Sequence, residues 1–265
     1  MSIWGKILGG AAGFALGGPI GALIGAVAGH AIDSLRDVQD SLGDTPGDIA
    51  GDAYQPQVGH DETTERAATR QIAFTIGVIV LGAKMAKADG TVSRIEVEAF
   101  KDVFHVPPHE QKNVGRLFDR ARRDSEGFEP YARQIAGLFR RRSKVLEELL
   151  DGLFHIAKAD GTVHAGEIDY LRRVAHIFGF DDHAFERIRA AHLGADKADP
   201  YEILGANRDM TDAQLKGLWR RLIRENHPDK LIAKGMPPEF VEIATEKIAT
   251  INAAYDRIAK ERGIP

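Results

Sequence analysis

The chain has 265 residues and is therefore long enough for one or two domains with hydrophobic cores. Its formal net charge is −4 and its pI is near 6.2. The acidic balance argues against general nucleic-acid binding, which requires a concentrated basic face, and we expect no nucleic-acid partner. The absence of cysteine excludes disulfides, thiol catalysis and cysteine-ligated zinc.

The first 32 residues carry glycine at every fourth position. Residues 7–29, which number 23, are uncharged and long enough to cross about 30 Å of hydrocarbon as a helix. In a membrane, small residues in this register form a face along which two helices approach closely. The pattern predicts a glycine-zipper membrane segment over residues 1–32 that contacts lipid and forms a homodimer. The glycines of this face are Gly5, Gly9, Gly13, Gly17, Gly21, Gly25 and Gly29.

The sequence Gly17-Gly18-Pro19 leaves two alternatives open for this segment. A continuous helix would cross the membrane, whereas a break at the proline would form a hairpin that enters without crossing. Lys6 and the amino terminus make the first flank slightly more basic than the flank that carries Arg36. For a crossing helix, this bias places the rest of the chain outside the cell, and a hairpin removes that consequence.

Residues 33–65 are strongly acidic. They contain nine aspartates and glutamates against a single base, Arg36, with glycine and proline interspersed. Such a segment buries little apolar surface, so we expect a flexible linker. Its charge would be repelled by an anionic membrane surface and would hold the following domains in solution.

The middle of the chain is predicted to be an all-α bundle over residues 66–195, because its apolar residues recur with a helical period. No stretch alternates convincingly as a strand. The predicted helices are 66–88, 93–105, 109–123, 129–140, 143–159, 164–178 and 182–193.

This bundle contains an internal repeat. Ala86–Val92 and Ala157–Val163 are identical, and the alignment extends to the acids Glu96 and Glu167. Seven identical residues in series predict two copies of one helix-turn-helix element.

The repeat also places paired acids beside each Asp-Gly turn. An EF-hand is excluded because Lys87 and Lys158 occupy ligand positions that need oxygen donors. The pattern resembles that of TerB-like domains, and this resemblance implies metal binding by paired acids. Capping of helix N-termini explains the same acids without a metal, and we prefer it, so we assign no metal site. The acids are Asp89, Glu96, Asp160 and Glu167.

The C-terminal region, residues 199–265, is predicted to be a helical hairpin. Asp199 and Pro200 are typical of the N-cap and first position of a short helix that ends at Gly205. Thr211 with Gln214 forms a capping-box pattern for the next helix. Two amphipathic helices, 211–226 and 239–260, should pack antiparallel. Their apolar residues are Leu215, Leu218 and Leu222 in the first, and Ile248, Ile251, Tyr255 and Ile258 in the second.

The sequence His227-Pro228-Asp229, here called the HPD tip, lies between these two helices at an exposed end. Pro228 favours a break in the helix, so the side chains on either side point outward. A basic stripe leads to the tip along the first helix. It consists of Lys216, Arg220 and Arg224, spaced by four residues, with Arg221 beside them.

The opening residues, Asp199–Gly205, the HPD tip and the basic stripe together resemble the J domain of DnaJ-family co-chaperones. The resemblance implies that the tip stimulates ATP hydrolysis by a DnaK-type chaperone, and that the stripe faces an acidic patch on that chaperone. Asp229 could accept a bidentate arginine, and His227 offers one donor and one acceptor. The long connection over residues 230–239 resembles the DjlA group, which combines a J domain with a TerB-type domain.

We therefore expect a membrane-tethered co-chaperone at the bacterial inner membrane, with its folded domains on the cytoplasmic side and its TerB-like domain recruiting or localising clients. The alternative is a membrane-associated TerB-like protein for interaction or stress sensing, with a vestigial J domain. No Walker loop, nucleophile elbow or dinucleotide fingerprint is present, so we predict neither an enzyme nor a cofactor.

Overall fold

The computed structural model describes residues 18–22, 62–88, 106, 108, 111–123, 127–139, 141, 143–159, 161–193 and 198–264. Within these residues the regular structure is helical and contains no strand, which confirms the all-α prediction. The helices are α1 Glu62–Ala88, α2 Gln111–Arg123, α3 Glu129–Leu138, α4 Lys144–Ala157, α5 Ala165–Phe178, α6 Asp182–Leu193, α7 Pro200–Leu204, α8 Asp212–Glu225, α9 Pro228–Ala233 and α10 Val241–Arg262, with a 3-10 turn at Pro238–Phe240.

Helices α1 to α6 agree with the predicted helices of the bundle to within four residues at each end. Helix α1 begins at Glu62, so the last residues of the predicted acidic linker are helical. The predicted helix 93–105 and linker residues 33–61 lie outside the described residues.

The core of the bundle is organised around α1. Almost every residue of this helix from Ile72 to Ala86 is buried, and α2, α3, α4 and α5 pack around it. A helix that is apolar on all sides is stable only when it is enclosed in this way.

A second core lies between α7, α8 and α10. Leu215, Leu218 and Leu222 of α8 are buried together with Ile251 and Ile258 of α10. The end of α10 lies beside the start of α8, where the side chain of Arg262 is 3.3 Å from Asp212. The predicted antiparallel hairpin is therefore confirmed.

The connection between the two hairpin helices packs on the bundle. Leu231, Met236 and Phe240 are buried in the core around α1, and the Phe240 ring lies edge-on to Phe74 with centroids 4.5 Å apart. Gly235 has a φ of +107°, and a Cβ atom there would lie 2.8 Å from the Cβ of Arg70. Glycine therefore permits both the turn and the close approach.

Part of this connection is helical, whereas the sequence suggested a loop. Pro228 occupies the first position of α9, where its missing N–H removes no hydrogen bond. Leu231 anchors the helix because its side chain is fully buried.

Residues 18–22 form one helical turn against the bundle. Ile20 is fully buried, and its backbone N–H donates to Gln134 Oε1 at 2.9 Å. Gly18, the first residue of this turn, has a φ of +57°, a left-handed conformation that glycine adopts without steric cost. Among the described residues, no helix combines the length and apolar character needed to cross a membrane. Apart from Gly21, which is buried, the glycines of the predicted zipper lie outside the described residues.

Candidate functional site

The HPD tip forms the N-terminus of α9. His227 is the N-cap residue, and its Nδ1 atom accepts the backbone N–H of Asp229 at 3.3 Å. In the neutral ring, Nε2 is therefore the donor. The side chains of His227 and Asp229 are 55% and 89% exposed, so both are accessible to a partner.

Buried residues hold the chain on both sides of the tip. Asn226 is fully buried, and its Nδ2 donates to the carbonyl of Leu222 at 2.7 Å, which closes the end of α8. Leu231, on the other side, is fully buried against the bundle. The two exposed side chains therefore lie on a short segment that is anchored at each end.

The basic stripe lies on α8 away from its buried leucines. Arg220, Arg221 and Arg224 are exposed and Lys216 is half-buried. None of these four cations forms an ion pair with any of the residues that the structure describes. Together they form one basic face of α8.

The helix caps that set this geometry are those expected from the sequence. Asp199 accepts the N–H of Tyr201 at 3.0 Å and caps α7. Thr211 and Gln214 form the capping box of α8, with the Thr211 N–H donating to Gln214 Oε1 at 2.8 Å. These caps fix where α7 and α8 begin and so how far α8 extends toward the tip.

Of the four acids of the repeat, Glu167 alone lies among the residues that the structure describes. Glu167 is buried in the first turn of α5, where its carboxylate accepts the N–H of His164 at 2.9 Å. Glu167 is thus the N3 residue of the capping box of α5. Asp89, Glu96 and Asp160 lie outside the described residues.

A cluster of buried charges between α4 and α10 was not predicted from the sequence. Lys247 is buried there against Glu147, Glu148 and Asp151. These three are the acids of α4, an otherwise largely apolar helix, and all lie within little more than one turn. That grouping was the available signal, because buried acids require a cationic partner.

Comparison with known proteins supports the same three-part organisation. The chain matches the models for the co-chaperone DjlA transmembrane domain over residues 1–51, tellurite resistance protein TerB over 75–190 and the DnaJ domain over 199–262. The HPD tip and the basic stripe lie within the DnaJ match. No solved structure matches the chain.

Several curated relatives carry the name co-chaperone protein DjlA. The one from Photobacterium profundum is 31% identical over 216 residues, which cover 72% of this chain and 78% of the relative. The one from Aliivibrio fischeri is 30% identical over 241 residues, covering 78% and 84%. The one from Coxiella burnetii is 30% identical over 204 residues, covering 68% and 74%. With its transmembrane, TerB and DnaJ matches in the same chain, this protein belongs to the DjlA family of J-domain co-chaperones.

Proposed function

We propose that this chain stimulates the ATPase of a DnaK-type chaperone through the HPD tip and that it acts as a regulator rather than an enzyme. The observation that carries the proposal is the exposure of His227 and Asp229 between two anchored residues. Such side chains can enter a partner without unfolding their own domain. Arg220, Arg221 and Arg224 supply complementary charge to an acidic chaperone surface.

The rest of the chain has a supporting role in this proposal. The N-terminal segment tethers the protein to the bacterial inner membrane, and the glycines of its face other than Gly21, which is buried, associate with a second copy. The folded domains lie on the cytoplasmic side, because a DnaK-type partner requires ATP. The TerB-like domain recruits or localises client proteins near the tip.

Single-turnover ATP hydrolysis by a DnaK-type chaperone tests the role of the tip. The wild-type protein should accelerate hydrolysis, and His227→Gln or Asp229→Asn should abolish the acceleration. Both side chains are exposed, so the change at Asp229 should alter the free energy of unfolding by less than about 0.5 kcal/mol, and the loss of the His227 cap of α9 should cost about 1 kcal/mol. The melting temperatures of the variants should therefore stay close to that of the wild type.

Asp256→Asn is a matched control because it removes another exposed carboxylate from the same hairpin. It should stimulate like the wild type. Equal stimulation by the wild type, both tip variants and the control would contradict the proposed role of the tip. That result would favour the alternative in which the TerB-like domain carries the function.

A further inference from the structure

Lys247 joins the C-terminal hairpin to the bundle through three ion pairs. Its Nζ atom lies 2.8 Å from Glu147 Oε1, 2.9 Å from Glu148 Oε1 and 2.6 Å from Asp151 Oδ2. All four side chains are less than a tenth exposed. The ammonium group is therefore the shared counter-ion of three acids on one face of α4.

Two of these acids have further cationic partners. Glu147 also pairs with Lys144 of its own helix and Arg187 of α6, each at 2.9 Å. Asp151 pairs with His192 of α6 at 2.7 Å.

Glu148 has a different environment, because Lys247 is its only cationic partner among the described residues. The loss of Lys247 would therefore remove the one ion pair of this buried carboxylate among the described residues and leave the more distant charge of Arg187.

The charges in the cluster stabilise one another against burial. Burial alone would lower the pKa of Lys247, but Asp151, Glu147 and Glu148 raise it above its ordinary range, so the side chain stays cationic. Burial alone would raise the pKa of Glu147, but Lys247, Arg187 and Lys144 hold it well below its ordinary value. Removal of one member from such a cluster leaves buried charge without a partner, whereas separation of the two helices returns it to water.

An apolar contact lies beside the ion cluster on the same face of α10. Phe240, Ile243 and Ala244 are buried in the core around α1, and Lys247 follows one turn later. A Cβ atom on Gly152 of α4 would lie 3.3 Å from the ring of Phe240, the N-cap residue of α10, so the start of α10 approaches α4 closely there. The first half of α10 therefore faces the bundle.

The second half of α10 faces the hairpin instead, since Ile251, Ala254 and Ile258 are buried in the core with α8. Helix α10 thus contacts both the hairpin core and the TerB-like bundle, in addition to the contact that Leu231 and Met236 of the connection make with the bundle. Separation of α10 from α4 would loosen the packing of the hairpin, and hence of the tip, on the bundle.

We propose that Lys247 is a positioning residue: its ammonium group locks α10 to α4, so that the HPD tip and the TerB-like bundle move as one body. The effect of this lock on chaperone action rests on the proposed function. The attachment of α10 to α4 by Lys247 does not depend on that function. The bundle would then present whatever it binds at a fixed distance and angle from the tip.

A distance measurement between two spin labels tests the lock in the full-length protein. The chain has no cysteine, so cysteines introduced at the exposed positions Arg116 of α2 and Asp256 of α10 would carry the only labels. The background with native Lys247 should give a narrow distance distribution. Lys247→Met should broaden it about twofold or more, because the three buried acids lose their shared counter-ion.

Lys260→Met is the matched control, since it removes a lysine from an exposed position on the same helix. It should leave the distribution narrow. A folded Lys247→Met protein with an unchanged distribution would overturn the proposal. Because no chaperone is needed, this result is independent of the ATPase assay, where failure of the wild type would count against the proposed function alone.

If Lys247→Met loses its helical circular dichroism signal, an exchange of charges between Lys247 and Glu148 tests the lock instead. Lys247→Glu alone should separate the helices, and its combination with Glu148→Lys should restore attraction across the same contact. A narrower distribution in the double variant than in Lys247→Glu supports the lock. A double variant that is as broad as the single variant, or that is unfolded, contradicts it.

Discussion

Glu148 is distinguished from its neighbours in the ion cluster by a missing hydrogen bond. Its Oε1 atom pairs with Lys247, whereas its buried Oε2 has no hydrogen-bond partner among the described residues. Burial raises the pKa of Glu148 to about 7; Lys247 opposes this shift and Asp151 adds to it. Proton uptake by this carboxyl group therefore falls within the physiological pH range.

The raised pKa predicts that stability depends on pH in a specific window. The folded pKa is about 7 and the ordinary value is 4.5, so between these values the folded state binds more protons than the unfolded state. The stabilising contribution of Glu148 is complete below the ordinary value and is lost as pH rises through about 7. Glu148→Gln should remove this loss, which is on the order of 1–3 kcal/mol.

Chemical denaturation between pH 5 and pH 8 would measure this difference, with the range set by the folded and unfolded pKa values. Asp256→Asn is the control, because it neutralises an exposed acid of α10. Its free energy of unfolding should depend on pH as that of the wild type does. The lowered pKa values of Glu147 and Asp151 place their titration at more acidic pH. If the free energy of unfolding changed with pH equally in the wild type and in Glu148→Gln, Glu148 would not titrate in this pH range.

Helix α10 shows what the sequence could and could not predict. The helix itself, its antiparallel packing and the caps at Asp199 and Thr211 were predictable, because they depend on residues within a few positions. The burial of Lys247 was not, because its partners are about 100 residues away. Ile248, predicted in the apolar stripe, is half-buried because the two halves of the helix face different cores.

Helix α8 carries a prediction about charge. Arg220→Glu with Arg224→Glu should weaken binding to a DnaK-type chaperone at low ionic strength and reduce the salt dependence of binding, because the stripe changes sign. The matched control is Arg116→Glu with Arg120→Glu, which reverses two exposed arginines at the same spacing on α2. Affinity measured at several salt concentrations compares the two. Equal losses in both double variants would mean that net charge, rather than this face, controls binding.

At the scale of the whole molecule, the TerB-like bundle and the J-domain hairpin share one hydrophobic cluster. Leu231, Met236 and Phe240 of the hairpin are buried in it together with Phe74 of α1. One turn near the N-terminus, at Ile20, is buried in the same cluster. Three parts of the chain that are distant in sequence therefore contact a single core.

The proposed topology predicts protection of this whole body by the inner membrane. A nonspecific protease added to intact spheroplasts should leave residues 62–264 uncut, because the folded domains are proposed to lie on the cytoplasmic side. The same protease should degrade the chain once the membrane is disrupted. Immunoblotting against the C-terminal hairpin would follow both reactions. Digestion in intact spheroplasts would place the tip away from any ATP-dependent partner and contradict the co-chaperone proposal.

The distance in sequence between Lys247 and its acids has a consequence for synthesis of the chain. The lysine follows Glu147, Glu148 and Asp151 by 100, 99 and 96 residues. At ribosomal rates of about 5–20 residues per second, the acids emerge roughly 5–20 s before their counter-ion. Until α10 emerges, Glu148 therefore lacks its ion-pair partner, whereas Glu147 and Asp151 can already pair with Arg187 and His192 of α6. Docking of α10 on α4 is thus a late step in the folding of the protein.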